Sequence, residues 1–370
     1  VNSSITTVIG KFADVLQLWV RGFSPDEFGY RRFMVAIALG ALGGWLFASL
    51  RLPLPWMLGS MTACTVAAIL RVPIGAPAVV RPPMTMVIGV MLGTGFTSQT
   101  LGSIATWGST IIGLAGFIIV SGAACVTYFR RIAGFDVPTA FFAGMPGGLV
   151  EMVILGEHKG GDAGKIALVH SARVLLVVLT LPFLMQLMSG VSLGARPQVG
   201  LSVVDAPWTS HAWLLLSVAA GAIIGHILRL PARLLLGPMM VSAAVHTLGW
   251  THFVPSYEIV NVAQVVLGTT IGCRFAGTSP SEIVRILVLS LGSTFILLLI
   301  TFLFATGISH SSAYSFVPLA LAYSPGGLAE MSLVALSLGI DVAFVATHHI
   351  IRVVFVMIGA GPAFTILERR

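Results

Sequence analysis

The 370-residue chain is 56 % hydrophobic and 9 % charged, with a mean hydropathy of +0.99 and a net charge of +7. Soluble domains carry roughly 25 % charged residues; here apolar runs recur over almost the whole length, so the composition describes an integral membrane protein and not two or three soluble domains. The runs lack the ten-residue alternation of an outer-membrane barrel, and the basic residues cluster between them (Arg31/Arg32, Arg71/Arg81, Arg130/Arg131), as cytoplasmic loop anchors do, which argues against nucleic-acid binding.

The predicted fold class is an all-α polytopic membrane protein made of two homologous helical repeats, transporter-like in having broken helices. Residues 1–30 form an N-terminal amphipathic segment, with Ile5, Val8, Ile9, Phe12, Val15 and Trp19 at helical spacing around Lys11 and Asp14. The first membrane repeat, 31–188, contains apolar segments at 32–50, 54–71, 82–97, 103–129, 137–157 and 163–187. A polar linker follows at 189–210. The second repeat, 211–366, contains segments at 211–229, 233–249, 257–273, 281–306, 314–338 and 341–365. The short, glycine-rich segments 82–97 and 257–273 are expected to be tilted, broken or re-entrant.

The repeat is read from polar identities at one fixed offset. Pro146, Gly147, Gly148, Leu149, Glu151 and Met152 return 179 residues later as Pro325, Gly326, Gly327, Leu328, Glu330 and Met331; Asp162, His170 and Arg173 return as Asp341, His349 and Arg352. Pro53, Leu58, Gly59 and Met61 return, 178 residues later, as Pro231, Leu236, Gly237 and Met239. Six crossings per half would make the repeats parallel, and the loop charges favour this. Five, with one segment turning back, would invert them, as in many secondary transporters.

Each Pro-Gly-Gly interrupts an apolar run, because proline removes an amide donor and glycine weakens a helix. Such a break is tolerated in a membrane only where protein or an aqueous cavity surrounds it. Half-helices are expected to end near Gly144 and Tyr323 and to restart near Pro146 and Pro325. The new N-termini, with Pro146, Gly147, Gly148, Glu151 and Pro325, Gly326, Gly327, Glu330, are the candidate substrate-binding residues. Ion pairs Glu151–Arg173 and Glu330–Arg352 would offset buried charge. His170, Arg173, His349 and Arg352 are the candidates for charge balance or proton coupling. Asp162 and Asp341 look like helix N-caps. His348 has no counterpart, Val169 standing at its place.

No metal site or cofactor is expected. Cys64, Cys125 and Cys273 are far apart in sequence, without a CxxC or Cys/His cluster. There is no P-loop and no recognisable nucleophile–base arrangement, so an enzyme is not expected.

The PGGLVEM (Pro146–Met152) and PGGLAEM (Pro325–Met331) motifs, the H…R helices after them and the LPxxxLG-like segments Leu54–Gly59 and Pro231–Gly237 resemble the AbrB-type family of duplicated bacterial inner-membrane proteins, over essentially the full length. The resemblance implies a multi-pass protein of the inner (plasma) membrane. Labels attached to the family include ammonia monooxygenase and regulator of gene expression. The first would need a redox metal, for which no ligand set is evident; the second could be indirect, since no DNA-binding module is seen. By analogy the resemblance implies a fold like that of cation/proton antiporters and bile-acid-type symporters, which also use crossed discontinuous helices. The expected partners are the lipid bilayer and a small polar solute, with a homodimer left open and no direct nucleic acid. The expected function is secondary transport of a small polar solute, with anions and zwitterions among the candidates and protons as the candidate coupling ion. The alternative is a membrane sensor that binds the solute without moving it.

Overall fold

A computed structural model describes residues 22–24, 28–97, 102–189 and 200–368. The expected amphipathic stretch from Ile5 to Trp19 lies outside the described residues, as does 190–199 of the linker.

Fourteen α-helices and no strand occur among the described residues, seven helices from each half. The first half gives α1 (Tyr30–Ser49), α2 (Pro55–Ile69), α3 (Arg81–Gly93), α4 (Gly108–Arg131), α5 (Val137–Gly144), α6 (Leu149–His158) and α7 (Ala163–Ser189). The second gives α8 (Trp208–Ile227), α9 (Arg233–Thr247), α10 (Tyr257–Gly272), α11 (Pro280–Ser309), α12 (Phe316–Tyr323), α13 (Leu328–Leu338) and α14 (Val342–Glu368). Every apolar segment becomes one helix, or two where Pro-Gly-Gly interrupts it. Six helices are long and apolar enough to span a membrane, which makes this a multi-pass membrane protein.

The chain divides into two compact units, each drawing on both halves. The first contains α1–α3 and α8–α10. Here the LPxxxLG-like glycines serve close packing: a Cβ on Gly59 would lie 2.1 Å from the Gly43 carbonyl oxygen, and one on Gly237 would lie 2.0 Å from that of Gly221. Helix backbones therefore touch, as small residues allow in a membrane. The third helix of each half lies on the second helix of the other: α3 sets Gly89 and Gly93 on the Leu235 and Met239 carbonyls, and α10 sets Gly268 and Gly272 on those of Met57 and Met61. This exchange also makes the Cys64 and Cys273 thiols neighbours.

The second unit contains α4–α7 and α11–α14, hence both Pro-Gly-Gly breaks. Its residue pairs decide the repeat orientation. Gly113 meets Ile308, Gly116 meets Phe304, and the Cys125 thiol donates to the Ser293 carbonyl at 3.8 Å. The equivalent helices α4 and α11 therefore run antiparallel, so the halves are inverted.

The segment that turns back is not one of the short glycine-rich ones. It is the broken one. The Asp162 amide, just after α6, donates to the Thr139 hydroxyl in the first turn of α5 at 2.8 Å, so α5 and α6 enter and leave at the same end. In the other half Tyr314, before α12, stacks on Phe344 at the start of α14 with ring centroids 4.3 Å apart. Each break is thus the tip of a re-entrant helical hairpin and not a helix that continues across. The loop charges misled here because they counted 137–157 and 314–338 as crossings.

The close backbone contact can be tested by adding a side chain. Gly237→Val should lower stability by about 1–3 kcal/mol through overpacking. Gly359→Ala, where nothing lies within 4 Å of a new Cβ, should be neutral or stabilising by up to about 1 kcal/mol. Thermal unfolding of the purified protein in detergent reads both.

Candidate binding site between two hairpin tips

Each hairpin tip is built the same way. In the first, α5 ends at Gly144, Met145 turns extended (φ −62°, ψ 137°), and α6 starts at Leu149 after an extended Gly148 (φ −68°, ψ 138°). In the second, Ser324 and Gly327 take the same conformations between Tyr323 and Leu328. The first half-helices end where the sequence predicts. The second ones start three residues later than expected, because Gly148 and Gly327 are extended and keep the Pro-Gly-Gly residues outside the first turn.

The motif residues lock one another. A Cβ on Gly148 would lie 2.1 Å from Glu151 Oε2, and one on Gly327 would lie 2.0 Å from Glu330 Oε2. The second glycine of each motif therefore makes room for a carboxylate in the first helical turn, where negative charge complements the helix dipole. A Cβ on Gly147 would meet the Met152 side chain at 2.9 Å, and one on Gly326 would meet that of Met331 at 2.7 Å. The half-helix N-termini expected to hold a solute are thus each accompanied by their own glutamate. Glu330 is buried, whereas Glu151 is half-buried.

The expected Glu–Arg ion pairs do not form. Among the described residues the one ion pair within 4.0 Å is Lys165–Asp162, at 2.9 Å. The arginines instead serve the opposite ends of the breaks. Arg173 Nη1 donates to the Met145 carbonyl at 2.9 Å, and its Nη2 donates to that of Ala143. Arg352 donates to the Ser324 carbonyl through Nη1 and to the Gly326 carbonyl through Nη2, the latter at 2.7 Å. One turn earlier, His170 Nε2 donates to the Phe142 carbonyl at 2.9 Å and His349 Nε2 to that of Leu321 at 3.0 Å. Half-helix C-termini expose unpaired carbonyls and carry partial negative charge. A glutamate near each N-terminus leaves these carbonyls unserved, so the guanidiniums go there.

This geometry brings the two copies together. The hairpins enter from opposite ends: Phe364, late in α14, lies 5.3 Å from the Phe141 ring of α5, while Tyr314, before α12, accepts the Trp107 indole N–H at 2.6 Å at the start of α4. At the tips, Gly147 abuts Val356, one turn beyond Arg352. Both arginines are buried, at 2 % and 4 % exposure, and the Nε–H of each lacks a hydrogen-bond partner, as does His349 Nδ1. The structure thus sets the first tip against α14, the helix that carries His349 and Arg352. No group of three or more His, Cys, Asp or Glu residues able to hold a metal occurs among the described residues.

Asp162 and Asp341 are N-caps, as their positions suggest. Asp162 Oδ1 accepts from the Lys165 amide at 3.0 Å; Asp341 Oδ1 accepts from the Ala343 and Phe344 amides at 2.9 and 3.2 Å. What the sequence did not reveal is the cluster around His348, where Thr110, Trp107 and Tyr323 converge from distant segments. Its one sequence signal was the break in the repeat at Val169.

Removing the Arg352 guanidinium should strand two buried carbonyls. Arg352→Met should cost about 2–5 kcal/mol, and Arg352→Lys less, since an ammonium still offers donors but without the planar fork. At the periphery, the Lys165 amide and then its ammonium hold the Asp162 carboxyl below its ordinary value of 3.8. A lowered carboxyl stabilises the fold above its unfolded value, and the contribution disappears as pH falls through the folded one. Asp162→Ala should therefore cost about 1 kcal/mol at neutral pH, and its unfolding curve should converge with that of the unaltered protein in acid.

Comparison with known proteins places this geometry in a family. The chain is 28 % identical over 357 residues to "Uncharacterized protein YhjN" of Bacillus subtilis (strain 168), covering 90 % of this chain and 92 % of that one. It is 25 % identical over 320 residues to "Putative regulator AbrB" of Escherichia coli (strain K12), covering 86 % and 90 %. The family model described as "Transition state regulatory protein AbrB" matches residues 56–368, so both hairpins and both buried arginines fall within it, and the chain belongs to the AbrB family.

Proposed function

We propose that the protein is a secondary transporter of a small anionic or zwitterionic solute across the bacterial inner membrane. The observation that carries this reading is the pair of buried guanidiniums at the hairpin tips. No carboxylate lies within ion-pair distance of either among the described residues, and each keeps an unpartnered Nε–H. Buried charge is costly unless paired, so two such cations favour a mobile anion as the missing partner. The backbone carbonyls hold the arginines without neutralising them.

The hairpins supply the second requirement of transport. They enter from opposite ends, the tip of the first resting on Val356 of α14, and irregular backbone of this kind is tolerated in membranes where it lines a substrate path. Movement of one hairpin would open the site to one side, and movement of the other to the opposite side. Glu330, the more buried of the two acids, is the proposed carrier of coupled protons. The reading assigns no enzymatic step and no cofactor.

Binding without movement is the second reading. It is favoured by the regulator name of the E. coli relative and by the family description. Under it the same site would sense a solute and affect gene expression indirectly.

Purified protein in liposomes, screened against small organic anions and amino acids, separates the two. Transport predicts concentrative uptake that collapses with a protonophore. Glu330→Gln should abolish the pH-driven component while leaving folded protein, and Arg352→Lys should weaken uptake at least tenfold. Saturable binding with no flux would favour sensing.

A further inference from the structure

Position 348 is where the second copy departs from the first, and the departure is buried completely. The His348 ring is fixed by two hydrogen bonds. Nδ1 lies 2.8 Å from the Phe344 carbonyl, which can only accept, so Nδ1 carries a proton in every state. Nε2 lies 2.8 Å from the Thr110 hydroxyl oxygen, and that hydroxyl lies 2.8 Å from the Trp107 carbonyl.

The Thr110 hydroxyl has one proton and two neighbours. If the imidazole is neutral, Nε2 must accept, and the hydroxyl can serve either Nε2 or the Trp107 carbonyl but not both. If the imidazole is protonated, Nε2 donates to Thr110 Oγ1, the hydroxyl donates to Trp107, and all three contacts are satisfied. The observed distances fit a site with a place for one added proton. The transition between the two states needs only a hydroxyl rotation.

We infer that His348 binds a second proton to which transport is coupled, beside the one proposed for Glu330, and that Thr110 links it to the tip of the second hairpin. The link is short. Tyr323, the last residue of α12, donates its phenol to the Thr110 carbonyl, and the next residue, Ser324, offers its carbonyl to Arg352.

The groups facing the imidazole come from each packed element. Thr110 and Trp107 approach from α4 and the turn before it, with the indole centroid 5.9 Å away. The Tyr323 phenol approaches from α12 at 6.3 Å, and Tyr314 lies behind Phe344, whose ring is 4.2 Å from His348. On α14 itself stand His349 and, one turn on, the Arg352 guanidinium. Among the described residues no carboxylate pairs with the ring. Arg352, one turn on along α14, is where a bound anion would face a protonated His348. Bound anion and bound proton therefore favour each other, and linkage makes the effect reciprocal. The coupling role rests on the transport reading; proton binding does not.

Trp107 reports on the site, because an imidazolium beside an indole quenches its emission. Its signal is the difference between each protein and its Trp107→Phe counterpart, in liposomes without added solute. Acidification should quench it, and His348→Gln and His348→Val should abolish the quench. With the histidine retained, Thr110→Val removes the acceptor of Nε2–H and should move the midpoint to lower pH, and Thr110→Ser should restore it. A quench unchanged in His348→Gln or His348→Val, or unmoved by Thr110→Val, overturns the site. If the quench behaves as expected but His348→Gln keeps the full pH-driven uptake of the unaltered protein, the coupling role is overturned. Loss of uptake under every gradient in the unaltered protein would instead count against the transport reading, with the proton site still standing on its fluorescence.

Discussion

Two guanidiniums donating to backbone carbonyls hold the centre of the second unit. A re-entrant hairpin leaves a half-helix C-terminus in the interior, where water cannot satisfy the last carbonyls. Arg173 and Arg352 solve this by reaching from the neighbouring long helix, and His170 and His349 support the same ends one turn back. The solution places two positive charges in the interior. Whatever the protein binds must be compatible with that.

Inversion gives the site its form. Had the halves been parallel, both hairpins would have entered from one side. Because α4 and α11 run antiparallel, the same local design arrives from opposite ends, and Gly147 of the first tip rests on Val356 of α14. The first unit shows the same relation in another form, with the third helix of each half packed on the second helix of the other. Small residues make both arrangements feasible. They let backbones approach where the hydrophobic effect gives little net drive between helices in lipid.

The two copies are not identical in environment. Glu330 is buried and Glu151 is not; Arg352 reaches forward to Gly326, whereas the equivalent nitrogen of Arg173 reaches back to Ala143. His348 stands where Val169 stands in the first copy. A duplicated scaffold with unequal sites is suited to giving one copy a task the other lacks.

The sequence by itself determined the class, the helices, the breaks and the repeat, because each of these is local. Apolar length sets a spanning helix, Pro-Gly-Gly cannot continue one, and Asp162 and Asp341 cap the turn that follows them. It also singled out His170, Arg173, His349 and Arg352, since His and Arg in an apolar run are too costly to be incidental. It did not determine what they touch. Glu151 and Arg173 are close in sequence and opposite in charge, yet each is drawn to a different end of a helix dipole, so the ion pair read from charge does not form. Orientation of the repeats, the return of each broken segment, the meeting of Cys64 with Cys273 and the setting of His348 against Thr110 depend on contacts between distant segments. Those contacts follow from backbone approach at glycines and carbonyl capping in three dimensions, and only the tertiary structure decided them.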